Sequence, residues 1–338
     1  MNEPFRRPQG SLTRPGSNKL LWVPAVVLFV ILFGTFAIMR RRGAVPPPLV
    51  AVIPAETTST FWENFRRGAS RACDEEGFRM SWDGPEVQAD RNAQILSIER
   101  ALANKASGIL LAPVLPDIVR PALDRICEAK IPCIVVDGDW KANQCVSILA
   151  TDNRKAGELA ARRAGKILNG TGRVLAIEWH AEGSSTTERI EAFESTLADE
   201  FPGIRIIASE APDPATIERA RTVIDTMLDE HPRVDAVYAC NATTTAAALQ
   251  VLHESADFDR DIKLIGFDAW PVLVFALEDG RIDALVVRHP YRMGYEGVKA
   301  IAAAINGQDI PGQIDAGVEL ITAERLEEPE IRSLLNLP

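Results

Sequence analysis

The stretch LVAVIPAETTSTFWENFRRGASRACDEEG, residues 49–77, reads as one strand followed by one helix. Residues 49–53 are a short apolar run that ends at Pro54, which predicts a buried strand. Apolar residues then recur at helical spacing over residues 61–76. Gly77 follows, where a residue without Cβ suits a left-handed helix cap. This strand–helix unit is the pattern on which the predicted fold depends.

Similar units follow along the chain. Further apolar strands are predicted at FRMSW, GILLA, CIVV and SILA, and a second series has VLAI, RIIAS, AVYA, KLIGF and ALVV, with helical stretches between them. Strand–helix–strand repeats with nearly continuous apolar strands indicate parallel sheets that are covered on both faces. The fold class is therefore predicted to be α/β, with two doubly wound parallel-sheet lobes. The helix at 291–306 and the strand at 318–321 are expected to return and pack on these lobes.

An apolar segment precedes the lobes. Residues 20–39 carry no charged side chain, and about 20 such residues span a hydrocarbon core of about 30 Å as a helix. Arginines occupy positions 40–42, where a cleaved signal peptide, the alternative, would need small residues. The sequence therefore predicts a cytoplasmic tail (1–19), one transmembrane anchor (20–39) and a basic and Pro-rich spacer (40–48), with the lobes on the extracytoplasmic side.

Composition narrows the function classes. The 338 residues are 46% hydrophobic and 25% charged, as in globular proteins, and the net charge of -10 disfavours binding to nucleic-acid phosphates. The five cysteines contain no CxxC pair and the four histidines no i, i+4 pair, so no transition-metal motif is present. We therefore expect no nucleic-acid partner, no metal site and no cofactor.

Side chains that follow the strands form the candidate site, because ligands of open parallel sheets bind beyond the carboxyl ends of the strands. The set mixes aromatic rings with carboxylates, an amide and guanidinium groups. A sugar needs this mixture, since its C–H faces pack on rings while its hydroxyls both donate and accept hydrogen bonds. The candidate ligand-binding residues are Ser59, Phe61, Trp62, Asp137, Trp179, Arg189, Asn241, Asp268 and Arg288.

From about residue 49 to residue 324 the chain resembles the ribose-type periplasmic binding proteins, the sugar receptors of bacterial ABC transporters, which share their fold with the lactose-repressor effector domain. The matching segments occur in family order and are TSTFWENFRRG, GILLAP, IPCIVVD, ILATDN, TTERIEAF, HPRVDAVYACNATTTAAAL, LIGFD and HPYRMGYEGV. The resemblance implies a first lobe at 48–151 plus 289–317 and a second lobe at 152–288 plus 318–330. It also implies that the chain crosses between the lobes three times and that the lobes close over the ligand.

The resemblance also implies roles for individual residues. Phe61 and Trp62 would stack on the sugar ring. Hydrogen bonds to its hydroxyls would come from Asp137, Arg189, Asn241 and Asp268. The ligand is thus expected to be a small polar molecule such as a monosaccharide.

Four positions depart from the family pattern. Ser59 replaces Asn, Gly138 replaces Arg, Pro214 replaces an aromatic residue, and Arg288 replaces Gln. If Arg288 stands in for the missing arginine, the charges remain close to balanced and a neutral polyol fits. A guanidinium there could equally grip a carboxylate or phosphate.

Two of the candidate ligand-binding residues could have a purely structural role instead. Arg288 could form a salt bridge with a neighbouring acid such as Asp283. Asp268 could merely cap the following helix, 271–279. Each alternative would remove the residue from direct ligand binding.

The expected function is non-enzymatic solute binding. Asp137 and Asp268 would fall on opposite lobes, and no nucleophile motif lies beside His180 or His289, so a hydrolase is not indicated. The expected partners are an ABC transporter permease and, through the N-terminal helix, membrane lipid. A receptor that signals to a membrane kinase or chemoreceptor is the main alternative. A transcription regulator of this fold would need a DNA-binding motif where residues 1–48 contain the apolar segment.

Overall fold

Residues 27–31, 46–87, 90–114, 116–136, 146–179, 185–213, 216–254, 261–335 and 337 are described by the computed structural model. The chain divides into two compact units, Met1–Pro47 and Pro48–Pro338. Within the described residues, no helix combines the length and apolar character needed to cross a membrane. The predicted anchor, 20–39, lies outside the described residues except for positions 27–31, which are helical.

The first sheet of the Pro48–Pro338 unit is fully parallel. Its strands are β1 (Leu49–Ile53), β2 (Arg79–Trp82), β3 (Gly108–Leu111), β4 (Cys133–Val136), β5 (Val146–Ala150) and β11 (Gln313–Asp315), in the order β11–β5–β4–β3–β1–β2. Its helices are α1 (Thr60–Glu76), α2 (Arg91–Ala103), α3 (Pro116–Glu128) and α9 (Pro290–Ile305). Helices α1 and α9 cover one face and α2 and α3 the other.

The second sheet repeats this plan with one antiparallel edge strand. Its strands are β6 (Thr171–Ile177), β7 (Gly203–Glu210), β8 (Ala236–Ala239), β9 (Lys263–Phe267), β10 (Ala284–Arg288) and β12 (Val318–Ile321), in the order β12–β10–β9–β8–β6–β7. Only β12 runs antiparallel, against β10. Its helices are α4 (Asn153–Ile167), α5 (Ser185–Glu200), α6 (Ile217–Glu230), α7 (Ala242–Glu254), α8 (Pro271–Glu278) and α10 (Pro329–Leu335).

Both faces of each sheet are buried. In β1, Val50 and Val52 pack under α1 and α9, while Ala51 and Ile53 pack under α2 and α3. Because both faces are covered, the strands are continuous apolar runs rather than alternating ones. The two-lobed parallel architecture predicted from the sequence is therefore confirmed.

The chain passes between the sheets three times: from β5 to α4, from β10 to α9, and from β11 to β12. Each passage is short, since α4 begins at Asn153 and β12 at Val318. Two of these connections follow β5 and β10, the second strands of their sheets, and the third joins the edge strands β11 and β12. They hold the two lobes together while leaving a cleft between the carboxyl ends of the parallel strands.

Local chemistry explains several boundaries. Gly77 has φ 69° and ends α1, which confirms the predicted left-handed cap. Asp152 caps α4 by accepting a hydrogen bond from the Lys155 backbone N at 2.8 Å. Strand β11 and helix α10 were not predicted from the sequence. The strand has three residues and the helix seven, too few for their periodicity to be recognised.

Candidate functional site

A cavity of about 760 Å³ lies between the two lobes. Predicted site residues from both lobes line it, and they are Ser59, Phe61, Trp62, Trp179, Asn241, Asp268 and Arg288. Of the other two, Asp137 lies outside the described residues. Arg189 is buried and does not form part of the lining. Seven of the nine predicted residues therefore lie in one cavity.

Asp268 and Arg288 form a bidentate ion pair on the side of the cleft that belongs to the second lobe. Arg288 Nε donates to Asp268 Oδ1 at 2.8 Å, and Nη2 donates to Oδ2 at 2.7 Å. The two side chains are only 14% and 18% exposed, so water screens the pair less than it would at the surface. The planar guanidinium therefore holds the carboxylate in a fixed orientation toward the cavity.

This pair corrects the helix-capping alternative for Asp268, while the salt-bridge alternative for Arg288 holds with Asp268, not Asp283, as the acid. Asp268 does not cap α8, because the N-cap residue of that helix is Trp270 and no side chain caps it. Arg288 does not pair with Asp283, whose carboxylate instead accepts a hydrogen bond from Leu264 N at 3.1 Å. Asp268 has φ 62°, a left-handed conformation that is uncommon for a residue with Cβ. A polar residue in this conformation directly after a strand is a frequent feature of functional sites.

Arg288 also connects the two lobes. The carbon at the centre of its guanidinium lies 4.4 Å from the centroid of the Phe61 ring, which belongs to the first turn of α1. A cation over an aromatic face is attracted by the ring quadrupole. In this structure the Arg288 guanidinium therefore lies over the face of the Phe61 ring. Stacking of Phe61 on a sugar stays a prediction.

The aromatic residues of the first lobe are held by one another. Trp62 meets Phe61 edge-on, with 5.0 Å between ring centroids, and meets Phe65 edge-on at 5.3 Å. Phe65 is buried in the first-lobe core. The two rings that line the cleft, Phe61 and Trp62, are thus oriented by ring packing and present apolar surface.

Arg189 lies directly behind the second-lobe wall. Its Nη1 donates to the carbonyl of Cys240 at 3.0 Å, its Nε donates to Asn153 Oδ1 at 3.0 Å, and its guanidinium lies 3.8 Å from the centroid of the Phe267 ring. Burial lowers the pKa of Arg189, and the neighbouring positive Arg288 lowers it further. The side chain thus braces the strand ends that carry the lining residues, and a direct contact with ligand stays a prediction.

Asn241 and Trp179 are also fixed by local hydrogen bonds. Asn241 Oδ1 accepts from Thr244 N at 2.8 Å, at the start of α7. Because the amide oxygen accepts a hydrogen bond from the backbone of α7, the NH₂ group of Asn241 is the part that can donate to a ligand. The Trp179 carbonyl accepts from Thr186 Oγ1 at 2.7 Å, which ties the end of β6 to α5.

Several lining residues were not predicted. The polar ones include Glu56, Asn64 and Thr243. Asn64 was detectable, since it follows Phe61 by three positions and shares its helix face. The apolar ones include Trp270 directly before α8, Val274 and Phe275 within it, and Leu334, Leu335 and Leu337 at the chain end. The leucines were missed because α10, which carries them to the cleft, was not predicted.

The sequence is similar to those of known proteins over most of its length. The family profile described as periplasmic binding protein domain matches residues 50–309. The ribose import binding protein RbsB of Salmonella typhimurium is 24% identical over 281 residues, which are 82% of this chain and 92% of that protein.

Solved structures are similar over most of the chain. An ABC transporter solute-binding protein from Agrobacterium vitis, bound with α-D-tagatopyranose, superimposes with a TM-score of 0.75 and 26% identity, covering 85% of this chain and 99% of that one. A carbohydrate transporter solute-binding protein from Agrobacterium radiobacter, in complex with D-arabinose, gives 0.74 and 26%, covering 87% and 100%. The chain therefore belongs to the periplasmic binding protein family, and its lobes have the type I fold of the ribose-type sugar-binding proteins.

Proposed function

We propose that this protein is an extracytoplasmic, membrane-tethered solute-binding protein that binds a sugar or similar small polyol and delivers it to an ABC transporter. The observation that carries the proposal is the cleft itself, where aromatic rings of one lobe face the Asp268–Arg288 pair of the other. Rings that cover the C–H faces of a sugar and polar groups that meet its hydroxyls are what such a ligand requires. Similar proteins are named for ribose import or bind tagatose and arabinose, which supports this ligand class.

Delivery would depend on hinge closure. The proposed lobes, 48–151 plus 289–317 and 152–288 plus 318–330, are joined by three short connections, so they can rotate as rigid bodies and bury the ligand. Small-angle scattering of the full chain, with and without saturating sugar, is expected to show compaction on binding. An unchanged radius of gyration with a bound ligand would contradict closure.

The ion pair of Asp268 and Arg288 favours a neutral ligand at that point of the wall. Arg288 already has a carboxylate partner in Asp268, so its positive charge is largely compensated before a ligand arrives. A sugar acid would have to compete with Asp268 for the same guanidinium edge. Neutral hydroxyls can instead accept from the guanidinium and donate to the free lone pairs of the carboxylate.

The proposed location follows from the N-terminal sequence and from one cysteine. The apolar segment 20–39 with arginines at 40–42 fits an uncleaved anchor. Cys127 is disulfide-bonded, and disulfides persist mainly in oxidising compartments outside the cytoplasm. Recovery of the intact N-terminus in the membrane fraction is expected, and a mature chain that starts near Ala44 would contradict the tether.

A thermal-shift screen tests the function as a whole. The full chain is heated with pentoses, hexoses, polyols and sugar acids, and the hits are measured by calorimetry. A ligand at 100 times its Kd should add about 2.7 kcal/mol to the free energy of unfolding. Stabilisation by sugar acids alone would replace the neutral-sugar proposal, and stabilisation by none of the four classes would refute it.

A further inference from the structure

Helix α8 is apolar on two different faces. Its sequence, PVLVFALE, contains no polar residue before Glu278. Leu273 and Leu277 are fully buried in the second-lobe core, as expected for the inner face. Phe275 belongs to the opposite side, lines the cleft, and is 61% exposed. A surface helix normally places polar residues there, so an apolar outer face indicates that something covers it.

The chain end extends the same surface. Ile331 of α10 is fully buried in the second-lobe core and anchors that helix. Leu337 N then donates to the Arg332 carbonyl at 2.9 Å, which folds the last residues back against the helix. The leucines that follow Ile331 reach the cleft as a result. Together they form a surface that we name the apolar wall: Trp270, Val274, Phe275, Leu334, Leu335 and Leu337.

The apolar wall and the polar site belong to one cavity. Asp268 precedes Trp270 by two residues, and both line the same volume of about 760 Å³. Pockets of about 300–1,000 Å³ hold drug-sized ligands, so a monosaccharide leaves much of this volume unfilled. The cavity thus has a charged, hydrogen-bonding part and an apolar part, which matches a ligand that itself has a polar and an apolar part.

We propose that the apolar wall binds an apolar substituent carried by the sugar, so that the preferred ligands are glycosides with an aryl or alkyl group. This inference rests on the proposed sugar-binding function and specifies its substrate class. The sugar would contact the Asp268–Arg288 pair, and the substituent would lie between Phe275 and the C-terminal leucines. Its apolar surface leaves water on binding, and that transfer supplies the added affinity.

Matched glycosides test the inference. The full chain is titrated by calorimetry with ribose, arabinose and galactose, and with the methyl and phenyl glycosides of each. Burying most of a phenyl ring, at about 25 cal/mol per Å², should make the phenyl glycoside bind about tenfold or more tightly than the methyl glycoside of the same sugar. The ratio of these two dissociation constants isolates the apolar wall from the sugar site.

Substitutions in the apolar wall test whether it causes the difference in affinity between phenyl and methyl glycosides. Phe275→Ser should reduce the ratio several-fold, because the substituent loses its ring contact, and Leu337→Ser provides a second variant from the chain end. Val272→Ser is the matched control, since Val272 is 51% exposed on the same helix but does not line the cavity. It should leave the ratio unchanged.

The outcomes separate this inference from the function on which it rests. Binding of free sugars with a ratio near one, or with no glycoside binding, would overturn the inference and leave the function intact. A high ratio that neither Phe275→Ser nor Leu337→Ser reduces would overturn the assignment to the apolar wall. Absence of binding by free sugars and glycosides alike would refute the proposed function for these sugars.

Discussion

The two walls of the cleft are held in place by different forces. On the second-lobe wall, hydrogen bonds orient the polar groups, as with Asp268 and Arg288 at 2.7 and 2.8 Å. On the first-lobe wall, Phe61 and Trp62 lie in the first turn of α1 and are oriented by ring packing. The pair of Asp268 and Arg288, named here the polar wall, is therefore preorganised before the ligand arrives. The aromatic wall, formed by Phe61 and Trp62, depends instead on where α1 lies.

The position of α1 depends in turn on two glycines. A Cβ on Gly68 would lie 1.9 Å from the Tyr291 carbonyl oxygen, and a Cβ on Gly294 would lie 2.0 Å from the Phe65 carbonyl oxygen. Only glycine permits α1 and α9 to approach so closely. The aromatic wall should thus be sensitive to backbone packing, and the polar wall to the loss of single side chains.

The largest effect is expected from Gly294→Ala, which breaks the support of the aromatic wall. The new methyl group would force α1 and α9 apart at a backbone contact that cannot rotate away. We expect the free energy of unfolding to fall by about 3 kcal/mol, which exceeds the gain of about 1 kcal/mol from the better helix propensity of alanine. Urea unfolding of the full chain measures it.

Ser70→Ala on α1, at a half-buried position, is the control and should change stability by no more than about 0.5 kcal/mol. A loss below about 1 kcal/mol in Gly294→Ala would mean that the helix pair can shift without strain. The aromatic wall would then be more adaptable than the close backbone contacts indicate.

Asp268→Ala is the second test and breaks the polar wall. It removes an acceptor for ligand hydroxyls and leaves the Arg288 guanidinium without this partner, so sugar affinity should fall by about 10- to 100-fold. Stability of the free protein should fall by about 1–3 kcal/mol. Calorimetry and urea unfolding measure the two quantities on the same variant.

The matched control is Asp279→Ala, which removes a surface pair with Arg281 at 3.0 Å whose carboxylate is 64% exposed. It should alter stability by less than about 1 kcal/mol and leave affinity unchanged. If Asp268→Ala loses stability but keeps full affinity, the carboxylate only positions Arg288 and does not contact the ligand.

A smaller effect is expected from Arg288→Gln, which tests the charge that the polar wall offers. For a neutral sugar, affinity should change by less than about tenfold and should not depend on salt, since no net charge is bound. For a sugar acid, affinity should fall further and its salt dependence should weaken. Titrations at low and high ionic strength, with Arg288→Lys retaining the charge but not the two-pronged geometry, distinguish the two cases.

Much of this molecule was predictable because its strands are buried on both faces. LVAVI, CIVV, AVYA and KLIGF were predicted with the limits that the structure shows, since each is a compact apolar run. Because ligands bind beyond the carboxyl ends of parallel strands, the residues that follow these strands were also expected in the cleft. The edge strand Gln313–Asp315 escaped prediction because two of its three residues are polar and it makes few core contacts.

The partners within the site were not predictable in the same way. Sequence proximity suggested Asp283 for Arg288 and a helix-capping role for Asp268. Their actual pairing depends on β9 and β10 being neighbours and on the left-handed backbone of Asp268, which are properties of the folded chain. The leucines of the apolar wall were missed for a related reason, because α10 gains its position from packing Ile331 into the core rather than from its short sequence.

The smallest effect concerns the connection between the lobes, where His289 is the N-cap residue of α9. His289 Nε2 lies 3.6 Å from Glu319 Oε2 of β12, and Arg292 and Asp315 are the other charged groups near it. Burial lowers the pKa of His289 below its usual value near 6.5, against the opposing attraction of Glu319. The unfolded chain therefore takes up the proton more readily than the folded one. Stability from this group is full above about pH 6.5 and is lost as the pH falls through the lowered pKa.

His289→Gln should remove this part of the pH dependence. Wild type should lose more stability than the variant between pH 7.5 and pH 5, a range above the normal titration of carboxyl groups. Urea unfolding at both pH values gives the difference, and His253→Gln, at an exposed position, should follow the wild type. Equal pH dependence in His289→Gln and wild type would mean that the imidazole takes up its proton in the folded protein as easily as in water. The connection would then be open to solvent, and the polar wall, which begins one residue earlier at Arg288, would be less rigid than its hydrogen bonds indicate.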